Sequence, residues 1–489
     1  MASVQSNEDA LLERFGYKQQ FERTLHRFES FAVGFSFISI TTGIFTTFGF
    51  VLAVAGPRGI WTWPIVIAGQ ALVALVYAAL AAKIPLAGYS YQWASRLANP
   101  TVGWALGWLS FAFLSIVTVS VDYAFVQVAW QPLIGQAYTP ASAALWTFAV
   151  LALQCALIIL STRITTRINN AAVATEIIGI VGLSIVLLAV VLFGNHGSFS
   201  NVGSTGVVGG AGWYGWLGPF MLATLLGAYT IVGFESCSNL AEETQDSRRI
   251  VPGAMWRSVV YSGAIGMVFL IALAAGIDSV AKVSSSATPV ADIIRADIGG
   301  WIEKIFLLFI CFSIFACGLV IMITNSRLIF AMSRDRRFPG HQLWARVPAS
   351  TRTPAFSALL AALVSAVILG VLYNNSTALV NLFTASTLMP AILYMATVLL
   401  YVLTAHRFPT ERGYFHLGAW EWPVILGSLV WLTYELIILI VPHDFRTAQL
   451  YALGALGVGV VVYLLMLALE PAAMRQEVGV SAAGLPESR

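Results

Sequence analysis

The chain has 489 residues, of which 58% are hydrophobic and only 10% charged, with a net charge of +3 and a mean hydropathy of +0.81. A soluble domain averages about 25% charged residues, so a soluble enzyme of several domains is excluded, and the small net charge gives nucleic acid no foothold as a partner. A protein embedded in the lipid bilayer is the class that remains.

Residues 1–29 form a polar tail without an apolar run, so the first apolar segment is expected to direct insertion itself. A helix needs about 20 apolar residues to cross the hydrocarbon. Twelve such runs follow, at 30–55, 61–82, 102–131, 141–160, 170–194, 217–240, 256–277, 301–332, 355–373, 378–404, 421–441 and 448–470. Lipid offers no partner for unpaired backbone groups, so the runs are predicted to be helices.

Most of these spans read as unbroken Leu, Val, Ile and Ala. Two do not. Span one contains the stretch Ser39-Ile40-Thr41-Thr42-Gly43-Ile44-Phe45-Thr46-Thr47-Phe48-Gly49, polar and β-branched at mid-membrane. Span six contains Gly227-Ala228-Tyr229-Thr230-Ile231-Val232-Gly233-Phe234-Glu235. If the first ten helices form two halves of five, these are corresponding positions, and an odd repeat number inverts the second half. Paired interruptions of that kind point to a transporter's binding site, because a broken helix offers amides to an anion and carbonyls to a cation. Taken singly, each stretch also suits close helix packing.

Between them lie two carboxyls inside predicted spans, where a charge needs a reason. Asp122, in the outer half of span three, is a candidate partner for a substrate ammonium, or else a rim residue in water. Glu176, about two turns into span five, is a candidate for proton exchange, with cation ligation and packing as the alternatives. Glu435 in span eleven reads as structural. Tyr229 and Phe234 flank the second interruption, and aromatic faces suit ammonium groups. Trp61, Trp63, Trp213, Trp216, Trp420 and Trp422 fall at span ends, as an interfacial belt does. The four cysteines, Cys155, Cys237, Cys311 and Cys317, read as buried thiols rather than a disulfide framework.

Twelve spans put both termini on one side. Of the 26 basic residues, only Arg58, Lys282, Arg295, Lys304 and Arg446 fall opposite the termini. That asymmetry predicts cytoplasmic termini and a multi-pass protein of the cell membrane.

Several motifs together resemble the amino acid–polyamine–organocation permeases, most closely the amino acid/choline branch. They are Gly16-Tyr17-Lys18-Gln19, Phe31 to Ser39, Phe234-Glu235 followed by 241–252 (AEETQDSRRIVP), and 325–335 (NSRLIFAMSRD) with Phe338-Pro339-Gly340. The resemblance covers residues 15–470. It implies an all-helical membrane fold like that of the bacterial leucine transporter. In that layout 1–29 is an N-terminal tail, 30–194 a first five-helix repeat and 217–404 a second, inverted one. Residues 421–470 add helices 11 and 12, and 471–489 form a C-terminal tail.

The family's first-helix motif matches Thr41, Thr42, Gly43 and Ile44, whose amides would hold a substrate carboxylate, although a threonine replaces the motif's first glycine. The unwound stretch of span six matches Thr230, Ile231, Val232 and Gly233, whose carbonyls would receive an amine. Glu235, Glu242 and Glu243 belong to the structural motif after span six. Proton-coupled relatives carry a lysine where this chain has Glu176.

The reading is therefore a secondary transporter for an amino acid or related amine, coupled to a proton or to sodium, with substrate exchange and a cationic amine cargo as alternatives. No cofactor or metal is expected, since the six histidines fall in tails or loops without paired ligand spacing. An enzyme is improbable on the same ground. A channel would carry a repeated pore loop or a ring of like charges, and a sensor a long output tail.

Overall fold

The computed structural model describes residues 9–10, 12–13, 15–194, 196–209, 212–286, 288–348, 351–375, 378–404 and 413–476. Arg14, His406, Arg407, Arg412 and Arg489, which entered the charge argument or the histidine count, lie outside the described residues, as do most of the 471–489 tail and the first eight residues.

The chain is 80% helix, with no strand among the described residues. Among the described residues, eleven helices are long and apolar enough to cross a membrane, and they match eleven of the twelve expected runs. The helices used below are α1 (Arg27–Ile38), α2 (Ile40–Val54), α3 (Trp63–Lys83), α4 (Tyr89–Leu97), α5 (Pro100–Phe125), α6 (Pro140–Leu160), α7 (Thr162–Phe193), α8 (Leu225–Thr230), α9 (Ser236–Asn239), α10 (Ser247–Ala275), α11 (Pro289–Ile298), α12 (Gly300–Arg334), α13 (Ala355–Leu372), α14 (Ala378–Thr404), α15 (Glu421–Ile440) and α16 (Arg446–Leu469).

The twelfth run, 217–240, is not a continuous helix but a chain of short ones that includes α8 and α9. Helices α7 and α10 begin eight or nine residues earlier than their apolar runs, because Arg163, Arg167, Arg248 and Arg249 occupy helical turns at the membrane's edge. Two helices, α4 and α11, lie in stretches that the hydropathy reading leaves as loops.

Helix starts follow local chemistry. Asn99 Oδ1 accepts from Val102 N at 3.0 Å, with Pro100 at the first position of α5. Thr139 and Ser142 form a capping box ahead of α6, again with a proline at the first position.

Helix α5 runs through the middle. Its most apolar 18-residue window is 100% buried, against 17% for α16 at the periphery. A helix that is apolar all round and mostly uncovered by protein is one whose neighbour is lipid. The polar residues of α5 are handled internally: Ser110, Ser115 and Thr118 each donate to the carbonyl four residues back, at 2.7–2.8 Å. All four cysteines are free and buried. Glu435 is buried and receives Gln70 Nε2 at 3.3 Å and 3.4 Å, which ties α15 to α3.

The tryptophan belt holds only in part. Trp61, Trp216, Trp420 and Trp422 are exposed, whereas Trp63 and Trp213 are buried, at 0% and 5% exposure. Trp63 packs where Gly266 of α10 leaves room, and its indole donates to the Gly263 carbonyl at 2.9 Å.

On the face opposite the N-terminal tail, Gly197 N donates to Asp278 Oδ1 at 2.7 Å and His196 Nδ1 lies 3.1 Å from Asp278 Oδ2. The bond to Asp278 raises the His196 pKa, while that bond and the Gly197 amide lower that of Asp278. Burial, aided by Asp278, pushes Asp297 up to about 6. The signs combine. His196 contributes below its ordinary range and loses that contribution as pH rises through its raised value. Asp297, bound to its proton more tightly in the fold, costs stability as pH rises from the ordinary carboxylate range to about 6 and adds no further change above it. The loss beyond that is carried by His196, and Asp278 is constant there. Protection of amides 197–201 against hydrogen exchange, corrected for intrinsic rates, is expected to be lower at pH 8 than at pH 5.5. His196→Ala should shrink the difference.

Candidate functional site

Helices α1 and α2 are one apolar segment broken at Ser39, where φ is +34° and ψ 97°. A serine in that conformation is strained, and the surroundings hold it there. Ser39 Oγ accepts from Thr42 N at 3.3 Å and Thr42 Oγ1 at 2.7 Å, and donates to Glu176 Oε1 of α7 at 3.1 Å. Glu176 Oε1 also accepts from Thr41 N at 2.9 Å and Thr41 Oγ1 at 2.5 Å, and Ser313 Oγ of α12 bonds Thr41 Oγ1 at 2.8 Å. All of these groups are buried.

The interruption thus falls at the first residue of the expected polar stretch. Thr41, Thr42, Gly43 and Ile44 are helical, not unwound. Nor are their amides free: Thr41 N is taken by Glu176, Thr42 N by Ser39 Oγ, and Gly43 N by the Ser39 carbonyl at 3.1 Å.

In the second interruption, Thr230 closes α8, and Ile231, Val232 and Gly233 are non-helical. Gly233 has φ +79°, and a Cβ built on it would lie 1.9 Å from the Phe37 ring, so both backbone and space require glycine. Its amide donates to Tyr394 Oη of α14 at 2.9 Å, and that hydroxyl donates to Glu235 Oε2 at 2.8 Å. Glu235 therefore anchors the far side of the break to α14 through a tyrosine.

The two interruptions meet. A Cβ on Gly43 would lie 1.9 Å from Thr230 Oγ1, so α2 and α8 touch at a point where only glycine fits. Beside this contact Tyr229 bonds Ser120 Oγ of α5 at 3.1 Å, and its ring lies 4.8 Å from that of Phe383.

Two residues beyond Ser120 in α5 stands Asp122, fully buried and not in water at a rim. Its Oδ1 accepts from Gln154 Nε2 of α6 at 2.8 Å, and its Oδ2 has no hydrogen-bond partner among the described residues. Helix α12 joins the two carboxyls. Ser313 reaches the Glu176 cluster, Cys317 Sγ bonds the Phe37 carbonyl at 3.4 Å, and Gly318 makes room for Asp122, whose Oδ1 would lie 2.1 Å from a Cβ there. Ser313 and Gly318 escaped the sequence reading, and Cys317 entered it only as a buried thiol. Their signal is a run of small side chains at i, i+4 and i+5 inside a helix otherwise built of Leu, Ile and Phe.

Glu242 and Glu243 sit at the tail face. Arg327 Nε reaches Glu243 Oε1 at 2.8 Å with both side chains buried, and Arg334 spans both oxygens of Glu242 at 3.0 Å and 3.1 Å. The tail joins them. The Arg334 guanidinium lies 3.7 Å over the Tyr17 ring, and Leu25 N donates to the Glu243 carbonyl at 3.0 Å. On the opposite face His196, Asp278 and Asp297 have ligand atoms within 4.8 Å of one another. That donor set would suit a cation, but it is partly exposed and stands apart from the two interruptions.

Gly43→Ala is expected to cost about 1–3 kcal/mol through overpacking against Thr230. Adding Thr230→Gly should recover most of the loss, a coupling that a double-mutant cycle of unfolding midpoints would measure. Arg327→Ala strands the Glu243 carboxylate and is expected to cost about 3–5 kcal/mol, read the same way.

A sequence model of the amino acid permease family matches residues 25–463. Amino-acid permease BAT1 of Arabidopsis thaliana is 24% identical, with 88% of this chain and 87% of that protein aligned. The GABA-specific permease of Saccharomyces cerevisiae is 25% identical over 90% of this chain and 79% of its own length. The low-affinity putrescine importer PlaP of Escherichia coli K12 is 25% identical over 69% of this chain and 73% of its own. With a multi-pass helical fold built around two interrupted segments that touch beside their breaks, the chain belongs to the amino acid permease family of the amino acid–polyamine–organocation superfamily and is a transporter, not an enzyme.

Proposed function

We propose that this protein is a secondary transporter that moves an amino acid or related amine across the cytoplasmic membrane by alternating access, with a proton as the coupling ion. The observation that carries the reading is the contact of the two interrupted segments at Gly43, one turn past the first break, and Thr230, at the second, with Glu176 seated on the first break. A break that faces another break is where backbone dipoles concentrate, and two short contacts are easier to part than two continuous helices. Relatives named for amino acids, for GABA and for putrescine support the cargo class.

The same reading takes the 217–240 run as a twelfth crossing. It gives five-helix repeats at 30–194 and 217–404, two further helices at 421–470, and cytoplasmic termini. In it the binding residues are Thr41, Thr42, Gly43, Ile44, Asp122, Tyr229, Thr230, Ile231, Val232 and Gly233, and the ion pairs of Glu242 and Glu243 hold the cytoplasmic side shut.

Glu176 is the proton carrier in this scheme. Its bonds to Ser39 and Thr41 reach hydroxyls and a backbone amide of the first break, so any motion of α2 changes its surroundings, and with them the balance between its charged and neutral forms. Glu176→Gln in proteoliposomes is expected to reduce accumulation driven by an inward proton gradient to the equilibrium level while substrate exchange persists, with a flattened pH profile of uptake. Full pH-driven accumulation by the variant would assign the proton elsewhere, and loss of wild-type accumulation on withdrawal of sodium would assign the coupling to that ion.

A further inference from the structure

We infer that the cargo is an organic cation without a carboxylate, because the protein supplies that carboxylate itself. This rests on the transporter reading and sharpens it.

The start of a helix exposed inside a membrane is the place for an anion, since its first amides lack intrahelical partners and the helix dipole is positive there. For a substrate with both an ammonium and a carboxylate, the start of α2 is where the carboxylate would go. Here the position is filled. Glu176 Oε1 takes the Thr41 amide at 2.9 Å together with the Thr41 and Ser39 hydroxyls, and Ser39 Oγ takes the Thr42 amide. Oε1 is an acceptor whether or not the carboxyl carries a proton, so proton exchange at Glu176 leaves the helix start occupied.

What surrounds the breaks is suited to the other sign of charge. Asp122 is fully buried with Oδ2 unpartnered, and among the described residues no lysine, arginine or histidine pairs with Asp122 or with Glu176. Thr230 ends α8, so the carbonyl end of that helix faces the same region. Tyr229 and Phe383 add two aromatic rings 4.8 Å apart, and ring faces attract ammonium groups. A second carboxylate brought in by a substrate would find its amides taken and two acidic groups nearby. An ammonium alone would give Asp122 the partner it lacks.

The test compares amines with their carboxylated counterparts: putrescine with ornithine, cadaverine with lysine, agmatine with arginine, tyramine with tyrosine. Thermal shift of the purified wild type reads binding, and counterflow in proteoliposomes reads transport. The amine of at least one pair is expected to bind at least about a hundredfold more tightly than its counterpart, the scale set by an uncompensated buried charge. Glu176→Ala, which frees the Thr41 amide, should narrow that ratio at least about tenfold, whereas Glu176→Gln, which keeps an acceptor there, should preserve it. Asp122→Asn should weaken the amine.

The inference is overturned if a carboxylated member binds as tightly as its amine, if no amine binds, or if sodium alone stabilises the protein and no amine adds to it. It is also overturned if folded Glu176→Ala keeps the wild-type ratio. Counterflow of an amino acid but not of its amine would sink the cargo class and leave the transporter reading standing. Amine binding with the expected ranking but no counterflow would do the reverse.

Discussion

One carboxylate oxygen sets the terms for the centre of this protein. Glu176 Oε1 gathers the Thr41 amide and the Ser39 and Thr41 hydroxyls, and without it the break at Ser39 would leave polar groups in a place that water does not reach. In hydrocarbon an interrupted helix is tolerated only where the protein re-satisfies the freed backbone. The partner comes from α7, more than a hundred residues away, so the local conformation of α2 is a tertiary property. A serine at φ +34° is the visible cost of that arrangement.

The second break is held by a parallel device with different parts. There the acceptor, Glu235, lies in the broken segment itself, and Tyr394 of α14 relays it to the Gly233 amide. In both cases an acidic residue is joined to an interruption by hydroxyls, and among the described residues no basic side chain intervenes in either. The charged pairs are kept to the two ends of the bundle: Arg327 and Arg334 meet Glu243 and Glu242 at the tail face, and Arg295 meets Glu303 at the opposite one. Polar chemistry is thus sorted by depth: neutral donors around carboxyls at the breaks, complete ion pairs at the rim. That order follows from the rising cost of uncompensated charge toward the middle of a bilayer.

Much of this was legible in the residues. Long apolar runs located eleven helices, because a span in lipid has little freedom in length or composition. The polar, glycine-bearing stretches located both interruptions to within a few residues. What could not be read locally was decided by partners distant in the chain. The break fell at Ser39 and not at Thr41–Ile44 because Glu176 and Ser313 converge there. Trp63 turned inward because Gly266 of α10 leaves a slot for an indole and the Gly263 carbonyl accepts its N–H. Asp122 was open to a reading as a rim residue since nothing near it in sequence announces Gln154 or the space at Gly318. The line of Ser313, Cys317 and Gly318 carries neither charge nor motif, and small side chains become meaningful only once their neighbours are known. Helices α4 and α11 escaped a hydropathy reading for a simpler reason: neither is a long apolar run.

The contact between Gly43 and Thr230 has a mechanical side. Helices that interlock through side chains must withdraw each knob from its hole before they can turn past one another, and every withdrawal forfeits packing. At Gly43 the α2 surface has no knob. Helix α8 therefore rests there against bare backbone, as a shaft rests on a bearing. Small rotations of one helix over the other at that point displace no side chain of α2. A place chosen for closeness is also, for the same steric reason, a place of low friction.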